Sequence, residues 1–387
     1  MVDRTSLRDK AAIVGIGETD FSRDSGRSEV QLAVEAIKSA LDDAGLKPED
    51  VDGMVHIDMD NTNEVDVINC LGIKNLNSFC TVGYGGGGAC GSVLHAAMMV
   101  ATRLCNYVVG WRSLNDRSGR RFGQSQIAAT VEGWLSYYAP YGLLTPGQWV
   151  AMSARRHMIE YGTTREHFAS VALSCRQNAN RNPRAVFYER SLSLEDYMSA
   201  RMIAEPLCLY DYCLETDGAC AWVMTSADRA LDLKQRPAYI LAAAQGTGSP
   251  TWVMTQYNRP TLTTGYESVQ TANLLWEMAG VGPQDVDVTQ IYDHFTPWVI
   301  VALEDFGFCK KGEGGPFASE GNIELGGKLP INTSGGLLSE GYIHGWNLIN
   351  EGVRQIRGTS TAQVEGAELS LVTSGNGLPT SAILLRR

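Results

Sequence analysis

At 387 residues, 44% of them apolar and 19% charged, the chain can bury a large core, and its length suits two domains or one duplicated fold. Thirty-two lysines and arginines against 43 aspartates and glutamates give a net charge of -11, the wrong sign for a nucleic-acid protein. Six histidines do not cluster, and nine cysteines, an odd number with no C-x-x-C pair, speak against zinc ribbons, redox pairs and disulfide frameworks, so no metal is expected.

Residues 1–10 alternate charged and polar types, and the apolar run at 11–16 is too short for a signal-peptide core or a membrane span. A cytoplasmic protein is therefore expected. Residues 11–17 read as a strand, followed by an amphipathic helix carrying Val34, Ile37 and Leu41, with Ser28 and Gln31 as a capping box at its start. The helix stops at Gly45, Pro48 blocks its continuation, and an apolar strand follows. The stretch 44–58 recurs at 279–293: Ala44, Gly45, Pro48, Asp50, Val51, Asp52 and Asp58 match Ala279, Gly280, Pro283, Asp285, Val286, Asp287 and Asp293. Such a repeat near the start of each half predicts a duplication, with halves at 1–233 and 234–387, the second opening on a strand at 238–244. Continuous apolar strands alternating with helices predict α/β layers.

Between the repeats, Gly85–Gly88 lead through Cys90 into a helix over 93–101. A cysteine there would feel the helix N-terminus and favour a thiolate; equally, the glycines could serve a tight turn and Cys90 be a small buried residue. The stretch 111–204 breaks the rhythm as a long excursion between two strands, with Arg112, Arg117, Arg120, Arg121, Arg155 and Arg156 beside Trp134, Tyr137, Tyr138, Tyr141 and Trp149. These could bind phosphates and wall a flat pocket, or be a solvated face and core. In the second half Tyr292-Asp293-His294-Phe295 ends the repeated strand, where open α/β sheets place ligands, and 332–346 is a glycine-rich loop carrying Tyr342 and His344 into a helix at 347–356.

Together the duplicated half, the opening strand, the glycine turn into a helix, the Tyr292–Phe295 segment and the 335–345 loop resemble the thiolase superfamily over the whole chain, especially its nonspecific lipid-transfer, or sterol-carrier-type, branch. The resemblance implies a five-layer αβαβα fold, a homodimer joined through the sheet of the first half near the short apolar strand at 107–109, and acyl-CoA thioester substrates, with no separate cofactor. In that family a histidine or asparagine stands where this chain has Tyr292, and a basic histidine where it has Tyr342. The second catalytic cysteine has no counterpart in 374–379, and the nucleophile falls on Cys90 or, in another register, on Gly88. Superfamily members with these changes resemble the acyl-CoA aldolases of actinobacterial steroid side-chain breakdown. Such an enzyme is a ketone-forming carbon–carbon lyase: it cleaves a β-hydroxyacyl-CoA to a 17-keto steroid and propionyl-CoA, beside a DUF35/OB-fold partner with a hydratase. Tyr292 and Tyr342 are then the acid and base, with His294, His344 and Cys90 as supporting candidates; a phenol acting as base needs its pKa lowered, and the two histidines are candidates for that. The alternatives are a noncatalytic lipid- or acyl-CoA-binding subunit and a thiolase proper.

Overall fold

The computed structural model describes residues 4–119, 121, 133–249 and 259–387; Arg120 and the side chain of Trp134 lie outside the described residues. The first half runs β1 (Ala11–Glu18), α1 (Glu29–Ala44), β2 (Gly53–Ile57), α2 (Glu64–Leu71), β3 (Ser78–Val82), α3 (Ala89–Ala101) and β4 (Tyr107–Asn115). Helices α4 (Pro146–Tyr161), α5 (Arg165–Ala179) and α6 (Leu194–Ser199) follow, then the small pair β5 (Met202–Ala204) and β6 (Leu207–Cys208), β7 (Asp217–Ser226) and α7 (Ala227–Ala230). The rest comprises β8 (Ala238–Gly246), α8 (Tyr266–Ala279), β9 (Val288–Gln290), α9 (Thr296–Asp305), α10 (Gly314–Ser319), α11 (Gly336–Ser339), α12 (Trp346–Arg357), β10 (Leu369–Thr373) and β11 (Thr380–Arg386).

Nine strands are hydrogen-bonded in the order β3-β2-β4-β7-β1-β8-β11-β10-β9. The run β2-β4-β7-β1 is matched by β9-β10-β11-β8, and the two half-sheets are joined by the short antiparallel contact Ala12–Tyr239 and Ile13–Ala238. Helix α1 covers β1, β4 and β7 on one outside and α8 covers β8 and β11 on the other, while α3 and α12 each pack on strands of both half-sheets. The result is five layers, αβαβα.

Local sequence explains the pieces. In α1 the Ser28 hydroxyl accepts the Gln31 N–H, but the Gln31 side chain bonds to Glu35, so only half of the capping box forms. Leu32, Ala36, Ile37, Ala40 and Leu41 bury the inner face. Gly15 lets α1 press on β1, since a Cβ there would lie 2.1 Å from the Ala40 carbonyl oxygen. The repeated residues have repeated jobs. Gly45 and Gly280 both end helices with left-handed backbone, at φ 76° and 66°. Asp52 accepts the N–H of Tyr107 at the start of β4 (2.9 Å), and Asp287 that of Leu369 at the start of β10 (2.9 Å).

Two expectations are corrected here. The excursion does not begin at residue 111: β4 continues to Asn115 as an interior strand with 108–114 buried, and the excursion runs to β7 at Asp217. Residues 107–109, being part of β4, are paired with β2 on one side and β7 on the other and offer no edge to a partner. The edge of the first half-sheet is β3, paired only with β2.

Candidate active site

Strand β9 delivers Tyr292 to the end of the sheet, where its neighbours fix it. The Asn332 amide pairs with both backbone groups of Ile291 (2.7 and 2.9 Å), and the Tyr292 N–H donates to Thr373 Oγ1 (3.0 Å). The ring needs glycines around it: a Cβ at Gly86 would sit 2.1 Å from the Tyr292 hydroxyl oxygen, and one at Gly345 would sit 2.8 Å from the ring. Tyr342 is clamped from the excursion, its N–H donating to Thr216 Oγ1 (2.8 Å) and the Thr216 hydroxyl donating back to its carbonyl (3.1 Å). Asp293 draws the glycine loop inward by accepting the N–H groups of Leu337 (2.8 Å) and Leu338 (3.2 Å). These anchors bring the two phenol oxygens to 3.3 Å of each other.

The electrostatics are set by burial. It pushes the Tyr292 hydroxyl above the ordinary phenol range, more than its bond to Tyr342 draws it down. Tyr342 is pushed well up, by burial first and then by Tyr292 and Cys213. His294 and His344 meet their neighbouring tyrosines edge-on, with ring centroids 4.9 and 5.1 Å away. Burial holds His294 down to about 4, and burial with the Arg112 charge holds His344 well below its usual range. Both imidazoles are therefore neutral, so neither lowers a phenol pKa by supplying a positive charge.

The tyrosines and histidines line one cavity of about 740 Å³, floored by Gly86 and Gly87. Cys90 does not line it. Its Sγ donates to the Val372 carbonyl (3.5 Å) inside the core, and burial pushes the thiol up to about 12, so the expected helix-stabilised thiolate is not formed. Gly88, the other register, is turned from the cavity, its absent Cβ facing the Gly83 carbonyl at 2.5 Å. The thiol that does reach the cavity, Cys213, is pushed well above its ordinary pKa by burial and the nearby carboxylates of Asp116 and Asp293.

Of the excursion's candidates, Arg117 and Arg121 line the cavity, each paired with Glu215. Arg155 and Arg156 pair on the surface with Glu205 and Glu160, and Arg112 is buried beneath the site. Tyr137 and Tyr141 are exposed and Tyr138 and Trp149 buried, all off the cavity wall. The apolar wall is instead Phe187, Leu192, Tyr210, Tyr212, Phe295 and Leu338. Arg23, Arg176 and Arg201 also face the cavity, and sequence reasoning misses them. They are single arginines spread over three segments, and nothing in their spacing marks them.

A thiolase-type fold with a two-tyrosine site defines the class. The Thiolase C-terminal domain-like family model matches residues 246–385. The chain is 51% identical to the 17-hydroxy-3-oxo-4-pregnene-20-carboxyl-CoA lyase of Mycobacterium tuberculosis, over 98% of this chain and 100% of that protein. It is 48% identical to the steroid side-chain-cleaving aldolase of Thermomonospora curvata, over 97% of each. Among solved structures, the Ltp2-ChsH2(DUF35) aldolase matches with a TM-score of 0.94 at 48% identity, over 98% of both chains. Human mitochondrial 3-ketoacyl-CoA thiolase shares the fold, with a TM-score of 0.69 at 15% identity. The chain belongs to the thiolase superfamily and, within it, to the steroid side-chain-cleaving aldolases; its activity is that of a carbon–carbon lyase.

Proposed function

We propose that the chain cleaves a 17-hydroxy steroid bearing a three-carbon CoA-thioester side chain, giving a 17-keto steroid and propionyl-CoA, with Tyr292 and Tyr342 as the acid–base pair. The observation that carries this reading is the 3.3 Å contact of two phenol oxygens on the floor of a largely apolar cavity. A retro-aldol step forms no acyl-enzyme, and a core-buried, protonated Cys90 suits that chemistry.

The protons balance through the pair. One phenol takes the substrate hydroxyl proton as it passes its own across the 3.3 Å contact, and the carbon–carbon electron pair becomes the thioester enolate. The second phenol gives its proton to the enolate carbon. Because the first phenol gives a proton as it gains one, neither has to rest as a phenolate, which accords with burial raising both pKa values. The apolar wall suits a steroid, and Arg23, Arg117, Arg121 and Arg201 suit CoA phosphates.

The enzyme acts as a cytoplasmic homodimer with a DUF35/OB-fold partner beside a hydratase. The exposed β3 edge, where Phe79 is 58% exposed, supports the first contact, and likeness to the Ltp2-ChsH2(DUF35) aldolase supports the second. Among the described residues no helix is long and apolar enough to cross a membrane. The test is to mix the protein, with and without a DUF35 partner, with the 17-hydroxy steroid CoA thioester and identify products by mass spectrometry. The expected pair is the 17-keto steroid and propionyl-CoA; an acyl group trapped on Cys90 or Cys213, or an intact substrate in both mixtures, overturns the proposal.

A further inference from the structure

Arg112 stands on β4 with its guanidinium fully buried, and its partners give it a single orientation. One is the equally buried Asp60 carboxylate, 3.2 Å away and itself held by the Ser113 N–H (3.0 Å) and the Thr62 hydroxyl (2.6 Å). The others are the Ser113 carbonyl, which accepts from Nη1, and His344: the Arg112 Nε–H donates to His344 Nδ1 at 2.9 Å. An arginine keeps its protons at any working pH, so the direction of that bond is unambiguous. Nδ1 accepts, and the neutral ring carries its proton on Nε2. The ring lines the cavity edge-on to Tyr342, on a backbone with φ 49°, and the nearest other imidazole, His294, is uncharged as well.

We infer that Arg112 is a positioning residue: anchored by Asp60, it locks His344 as the Nε2–H tautomer, so that His344 offers the cavity a hydrogen-bond donor and never a base. The donor's target, the thioester oxygen as it becomes an enolate, rests on the aldolase reading; the tautomer does not. This differs from a histidine base, whose ring nitrogen has to be unprotonated on the side facing substrate. A neutral donor is also the form that a buried site beside a fixed positive charge holds most cheaply.

The test has a spectroscopic arm and a kinetic arm. In protein labelled with ¹⁵N-histidine, with the His344 signals assigned by their loss in His344→Gln, Nδ1 is expected to show the shift of an unprotonated ring nitrogen and Nε2 that of a protonated one, unchanged across the neutral range. Arg112→Met alone strands the Asp60 charge in the core, so the variant to use is Asp60→Asn with Arg112→Met, which removes both charges together. In it the ring is expected to populate both tautomers. A wild-type ring protonated on Nδ1, or a tautomer unmoved in the double variant, overturns the inference. In the kinetic arm His344→Gln keeps an N–H donor near the Nε2 position and His344→Leu does not, while both bear the same left-handed backbone strain. The Gln variant is expected to cleave the steroid thioester on the order of tenfold faster in kcat than the Leu variant, with KM close between them. Equal rates for the two overturn the donor role. Absence of cleavage by the wild type defeats the aldolase reading and leaves the tautomer measurement to decide the role of Arg112.

Discussion

Burial acts on Tyr292 and Tyr342 more strongly than the charges near them, Asp293 and Arg112 by the first and Asp116 by the second, and this makes their reactivity chiefly a matter of burial. Raised phenol pKa values keep both protonated, so a relay through the pair should show no phenol-linked break in kcat below about pH 10. On the acid side, Asp293 is held up to about 6 by burial. Its protonation below that value weakens its hold on Leu337 and Leu338, and kcat is expected to fall there. A pH–rate profile checks both limbs. Gly86→Ala is expected to remove most turnover while leaving the fold intact by circular dichroism, because the new Cβ takes the place of the Tyr292 hydroxyl. The tyrosines are legible in the sequence because phenols on glycine-rich turns have little core to serve. Gly86 is not, since four consecutive glycines do not show which of them faces a ring that arrives from 206 residues further on. Cys90 misleads because a helix N-terminus lowers a thiol pKa only where burial does not outweigh it.

At the scale of elements, the active-site loop is held by carboxylate-to-backbone bonds. Asp293→Asn replaces one acceptor oxygen with a donor opposite the N–H groups of Leu337 and Leu338. A buried unmade bond of this kind costs about 1–3 kcal/mol, so the variant is expected to unfold at lower denaturant and to lose turnover as Tyr342 drifts. The duplication is readable because Asp52 and Asp287 keep the same clamp on the first residues of β4 and β10. The start of the excursion is not. Trp111 and Arg112 look like loop residues, yet the tryptophan finds Thr62 for its indole N–H (2.7 Å) and the arginine finds Asp60, partners that lie about fifty residues back and leave no mark on local pattern. Thr216, which clamps Tyr342, is invisible for the same reason.

Across the whole molecule, α12 is buried from Trp346 to Ile356, packs on strands of both half-sheets and carries Glu351, paired with Arg354, into the core near Glu340. Burial and the nearby Glu351 push Glu340 up to about 7. A carboxyl raised in the folded state stabilises the fold fully below its unfolded pKa of about 4.3, and that contribution is lost as pH rises through about 7. Glu340→Gln has no such proton to lose, so its stability relative to the wild type is expected to improve as pH rises across that window, read from denaturant midpoints at matched pH. Sedimentation is expected to give a dimer of the 42.1 kDa chain, and a charged residue at Phe79 on the β3 edge to shift it towards monomer. The chemistry itself is tested most directly by kcat for cleavage of the 17-hydroxy steroid CoA thioester by Tyr292→Phe and Tyr342→Phe, with the partner present. Each loses one oxygen and little volume, and each is expected to be on the order of a hundredfold slower than the parent with KM nearly unchanged. Rates for both variants close to the parent's would mean that the phenols only pack against the ligand, and the proton relay would be wrong.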